Sequence, residues 1–127
     1  MPAESEFQYT ILRLVPSLER GERMNVGVVL FCRQLDFLAA RVAVDAARLA
    51  ALTDQLQPDE VEGHLGALSE VAAGSGGGEI AALPATQRFG WLTSPSSTSI
   101  QPSPVHTGLT QDPAATLERL FKTLVLT

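Results

Sequence analysis

The stretch Met24–Arg33, "MNVGVVLFCR", decides the fold. Met24, Val26, Val28, Leu30 and Cys32 alternate onto one face, and Gly27, Val29 and Phe31 onto the other. Apolar residues on both faces predict a central strand covered on both sides. Gly27 in its middle brings no side chain to pack and marks a bulge or a close backbone approach. Upstream, Phe7–Val15 is rich in aromatic and β-branched residues and reads as a second strand. Pro16 ends it, because proline offers no N–H to a ladder. Ser17–Arg23 is then a polar connection containing Gly21. Downstream, a polar turn at Gln34–Asp36 leads into Phe37–Val44, whose Leu38, Ala40, Val42 and Val44 form a buried face. Connections this short favour antiparallel neighbours, so the three strands form a meander.

Helices follow. Asp45 caps the first, in which Leu49, Leu52 and Leu56 share a stripe. Pro58 suits the first position of the second, with Asp59 and Glu60 in its first turn and Val61, Leu65, Leu68 and Ala72 facing the core. Gly74–Gly78, "GSGGG", ends that helix as a flexible joint. Thr86–Leu92 reads as a short helix with Phe89 and Trp91, and Thr98–Gln101 as a short edge strand. Asp112 and Pro113 open the last helix, where Leu117, Leu120, Phe121 and Leu124 make an apolar stripe and Glu118 pairs with Lys122 at i,i+4. The fold class expected is α+β, a single domain over 1–127: an antiparallel sheet led by a three-stranded meander, a short fourth edge strand, and helices packed on the sheet.

Composition bounds the function. A chain of 127 residues has room for one core. Hydrophobic residues at 45% against 18% charged exclude global disorder. The net charge of −5 repels phosphate backbones unless basic residues gather on one face, so nucleic-acid binding ranks last. One cysteine excludes an intrachain disulfide. The opening "MPAESEFQYT" lacks the basic and apolar regions of a signal peptide, and Val26–Cys32 is too short to cross a bilayer. The expectation is a soluble, cytoplasmic protein.

The familiar chemical motifs are missing from the sequence. "GSGGG" follows a helix and lacks the lysine of a phosphate loop. One cysteine and two distant histidines do not make a usual zinc site, and no cofactor is implied. No GxSxG elbow occurs. Cys32 reads as a core hydrophobe and His64 as a half-exposed structural residue.

Two stretches are less ordinary. Glu19–Asn25, "ERGERMN", gathers Arg20, Glu22, Arg23 and Asn25 on a strand connection. It reads as a solvated hairpin with exposed ion pairs, or as a bidentate grip on a phosphate or carboxylate. Ser97–Gly108, "STSIQPSPVHTG", holds Gln101, Ser103 and His106. Dense hydrogen-bonding groups on a scaffold-held loop are candidates for function, and His106 alone there titrates near neutrality. Phe89 and Trp91, two apart, point to different faces of a helix; the plainer reading buries both, the other offers Trp91 to a partner.

Residues Tyr9–Phe31, "YTILRLVPSLERGERMNVGVVLF", resemble the opening signature of a bacterial family of unknown function, DUF3037. Residues Arg88–Phe121, "RFGWLTSPSSTSIQPSPVHTGLTQDPAATLERLF", resemble its closing signature. The resemblance matches Arg20, Gly21, Glu22, Asn25, Gly27, Gln101, Ser103, Pro104, His106 and Gly108 to motif positions and implies no role for any of them. The family's closing signature carries arginine where this chain has Ser96. An association of relatives with HipA-like kinases implies a companion or regulatory role.

Two functions are therefore expected to compete. One is a non-catalytic interaction protein whose partner meets the two polar stretches, a kinase-like partner being what the resemblance implies, with a homodimer also open. The other is a small enzyme or ligand-binding domain in which His106 is acid or base, Glu22 orients it, and Arg20 or Arg23 holds an anion. The second requires His106, Arg20 and Glu22 to meet within hydrogen-bond reach or one water.

Overall fold

The computed structural model describes residues 3–17, 19–94 and 99–126. In chain order the elements are β1 (Ser5–Leu14), β2 (Met24–Cys32), β3 (Phe37–Val42), α1 (Ala46–Leu52), α2 (Pro58–Ala73), α3 (Ala85–Leu92), β4 (Ile100–Pro102), β5 (His106–Thr110) and α4 (Pro113–Leu124). The sheet is antiparallel, in the order β3-β2-β1-β4, and β5 also pairs with β1. This is the expected α+β fold led by a meander.

Two apolar clusters sandwich the sheet. On one face Leu49 of α1, Val61 and Leu65 of α2, and Phe89 and Leu92 of α3 pack with Leu12, Leu14, Val29 and Phe31. On the other, Leu117, Leu120 and Phe121 of α4 pack with Phe7, Val28, Leu30 and Cys32. Every residue of β2 from Val26 to Cys32 is buried, as a strand covered twice must be. The thiol of Cys32 donates weakly to the Glu6 carbonyl at 3.6 Å.

The simple alternation along β2 breaks at Gly27. Leu12 pairs with Gly27 but Arg13 pairs with Asn25, so β2 carries one extra residue there. Met24 and Val26 consequently join the cluster of Val29 and Phe31, not that of Val28 and Leu30. This corrects the face assignment made from period two. Gly27 is also a close approach: a Cβ there would stand 2.9 Å from Val42 Cγ1 and 3.1 Å from the Arg41 carbonyl.

The caps fall where the side chains predict. Asp45 accepts from the Arg48 N–H and Asp112 from the Ala115 N–H, both at 3.1 Å, and Pro58 and Pro113 occupy first-turn positions. α1 stops at Leu52, so Leu56 packs on the core from beyond it. Gly74 closes α2 with φ of 74°. Arg88 then ties α2 to α3: its guanidinium donates to Leu83 O at 2.9 Å, Val71 O at 3.1 Å and Ala72 O at 2.6 Å. Those carbonyls lie at or beyond the end of α2, where orphan acceptors collect. On α4, Glu118 reaches across to Arg41 of β3 at 3.1 Å.

The far edge of the sheet differs most from expectation. The short strand is Ile100–Pro102 rather than Thr98–Gln101, and Thr98 lies outside the described residues. A fifth strand, His106–Thr110, continues it along β1. Between them three residues, Ser103–Val105, face two on β1, Thr10 and Ile11, which makes β4 and β5 one bulged edge strand. Ser103 closes the gap. Its N–H donates to Ile11 O and its hydroxyl accepts from Ile11 N–H, both at 2.8 Å. The buried Thr10 hydroxyl donates to Ser103 O at 2.8 Å. At the bulge the Ser103 hydroxyl stands in for a ladder carbonyl, accepting from the Ile11 N–H by side chain.

Candidate functional site

The two polar stretches lie at different places on β1. The Glu19–Asn25 connection leaves the end of β1 at Leu14, while His106 pairs with Tyr9. Five strand residues separate these levels, a span of about 17 Å at about 3.4 Å per residue. The faces differ as well. His106 stacks on Tyr9, ring centroids 5.1 Å apart, on the side covered by α4. Arg20 forms an ion pair with Glu22, and both line an open cleft of about 660 Å³ against the end of α1, with Pro16, Thr53 and Asp54. The arrangement in which Glu22 orients His106 and Arg20 holds its substrate is not formed.

Other candidate residues have structural duties. Ser103 is 4% exposed and spends its polar atoms on β1 and Pro104. The Asn25 amide donates to Leu124 O at 2.9 Å, fastening the end of α4 to β2. Gly108 is needed for packing: a Cβ there would stand 2.7 Å from Cζ of Phe7. Phe89 is buried against Phe31, but Trp91 is 44% exposed, so the reading that buries both aromatics is corrected. Ser96 and Ser97 lie outside the described residues.

The open edge is what remains. Beyond β5 no further strand pairs among the described residues, so one row of its N–H and C=O groups faces outward. Proteins usually blunt such an edge with charge, especially lysine. Here Gln101 through Gln111 contains no Asp, Glu, Lys or Arg. Val105 and Leu109 stand out at 41% and 63% exposure. Sequence reading missed both, and missed β5 itself; the only signal was the uncharged run.

Four arginines have clear partners: Arg20 on Glu22, Arg41 on Glu118, Arg48 on Asp45, and Arg88 on carbonyls. Arg13 and Arg23 form no ion pair among the described residues, although the chain holds 14 acidic residues against 9 basic ones. Partial burial lowers the pKa of Arg13 from its ordinary value, and the neighbouring charge of Arg23 lowers it further. Among the described residues, no three His, Cys, Asp or Glu side chains gather to hold a metal ion, and no helix is long and apolar enough to cross a membrane.

Fold and site together define a sandwiched antiparallel α+β domain with one open, uncharged edge. The chain belongs to the family described as "Protein of unknown function (DUF3037)", whose model matches residues 9–125. No curated protein and no solved structure matches it.

Proposed function

We propose that the chain is a protein-interaction module with no chemistry of its own, which docks an extended segment of another protein against β5. The observation that carries this reading is the open edge of His106–Thr110, uncharged and flanked by exposed Val105 and Leu109. Main-chain hydrogen bonds along such an edge supply affinity, and alternate side chains supply specificity. The partner strand is apolar where it meets Leu109 and Val105. A basic flank suits the acidic chain, whose net charge is −5. The family resemblance supplies a candidate partner, a HipA-like kinase, for which this chain acts as a companion or regulator in the cytoplasm.

The test is affinity capture of the tagged chain from its host, with partners identified by mass spectrometry, beside Leu109→Lys, His106→Ala and Arg20→Ala. A lysine at an exposed edge position opposes strand addition while leaving the fold intact. The expected result is a stoichiometric partner that L109K loses and R20A keeps. A partner held equally by wild type and L109K refutes edge docking.

A further inference from the structure

α4 crosses the sheet on a diagonal. It starts beside the Ser5 end of β1, where the Thr110 and Thr116 hydroxyls meet at 2.6 Å. It finishes over β2, where Asn25 holds Leu124 O. The helix packs chiefly on β2 and β3, and among the described residues it makes little contact with the corner of that face where β1 meets the start of β4. Ile11, Arg13 and Gln101 are half-buried in this corner, and Gln101 pairs directly with Arg13 across the strands.

Arg23 belongs to the same corner. Arg13 pairs with Asn25 across β1 and β2, Arg23 lies two residues before Asn25, just ahead of β2, and its charge acts on Arg13. Diagonal cross-strand neighbours lie about 7–8 Å apart, within reach of long side chains. Two guanidinium groups thus share one corner, and neither forms an ion pair among the described residues. Like charges so placed repel, and among the described residues no acidic side chain pairs with either, in a chain rich in acids.

We propose that Arg13 and Arg23 form a binding site for the phosphoryl group of a small phosphorylated ligand lying on the open corner of the sheet. Two planar, permanently charged forks match the several oxygens and double charge of a phosphoryl group, where a single carboxylate satisfies one of them. A long polyanion is disfavoured, because beyond this corner the chain is acidic and repulsion accumulates along a phosphate backbone. The site does not depend on edge docking at β5, which uses other residues.

The test measures the melting temperature of the full chain in inorganic phosphate and in sodium chloride at matched ionic strength, by circular dichroism. Phosphate raises the melting temperature of wild type in a saturable way. Arg13→Gln and Arg23→Gln each weaken phosphate by about tenfold or more, the equivalent of one charge-assisted hydrogen bond. Arg33→Gln, at the other end of β2, and L109K respond as wild type does. In chloride alone, R23Q melts higher than wild type, because it removes an unpaired repulsion from an exposed position; this readout survives even if R13Q fails to fold. No phosphate shift, or one unchanged in R13Q and R23Q, overturns the site. A single-stranded oligonucleotide that binds through the same arginines, with a salt dependence of several charges, overturns the small-ligand assignment in favour of nucleic acid.

Discussion

Ser103→Ala separates the structural reading of this serine from the functional one. In wild type its hydroxyl accepts from the Ile11 N–H at 2.8 Å, donates to the Pro104 carbonyl at 2.9 Å and lies 3.2 Å from the Thr10 hydroxyl. Alanine leaves the N–H of half-buried Ile11 without its acceptor, beside a Ser103 that is only 4% exposed. Stranding one such group costs about 1–3 kcal/mol. Taking about 2 kcal/mol, and an unfolding entropy of about 2.1 cal/mol/K per residue over this chain, the melting temperature falls by roughly 7 °C. The assay is urea and thermal denaturation followed by circular dichroism, extended to Thr10→Val and the double variant. Thr10 donates to Ser103 O in the same buried group, so the cycle shows a coupling of about 0.5 kcal/mol or more. A loss below about 0.5 kcal/mol for S103A, the size expected of an inert surface site, refutes the reasoning. It would return Ser103 to the list of binding residues.

Two further stability effects follow from the same contacts. Gly108→Ala puts a methyl group 2.7 Å from the end of the buried Phe7 ring and destabilises by about 1–3 kcal/mol; Phe7→Leu in the G108A background recovers part of that loss, as chemical denaturation will measure. Arg88→Met removes donors from three carbonyls at the α2–α3 junction and costs about 1.5–3 kcal/mol, with amide exchange accelerating first in the last turn of α2.

The meander, its two-sided burial and the capped helices were legible because each rests on local rules: period, proline, cap, short connection. Asp45, Pro58 and Asp112 act on the nearest turn of backbone, and nothing distant competes with them. The parts that escaped depend on partners far along the chain. The bulge at Gly27 was signalled by the glycine, but which neighbours change face depends on the register with Leu12 and Arg13. β5 reads "HTGLT", with no apolar periodicity, because it is an edge strand whose Leu109 faces solvent and whose Gly108 makes room for Phe7. Glu118 meets Arg41 of β3, a tertiary partner that helical spacing does not reveal. The candidate residues suffered the same limit: proximity in sequence grouped Arg20 with Arg23, whereas the fold turns Arg20 to Glu22 and sets Arg23 beside Arg13.

The family signatures make sense as two halves of one joint on β1. The opening stretch supplies β1, the hairpin and β2; the closing stretch supplies α3, the bulged edge strand and most of α4. Much of what they carry serves that joint. Gly27 and Gly108 permit close packing, Asn25 fastens α4, Arg88 closes α2, and Ser103 before Pro104 carries the ladder across the bulge. A signature position with such a duty says nothing about activity. Arg23 has no packing or pairing duty among the described residues, and His106 stacks on Tyr9 with its side chain open to solvent. The two lie toward opposite ends of β1, one beside Arg13 and the other at the start of the open edge. A mutational survey of function therefore starts with R23Q, which removes no contact seen among the described residues, and with H106A, which removes only the stack on Tyr9, so circular dichroism of each variant separates binding from folding.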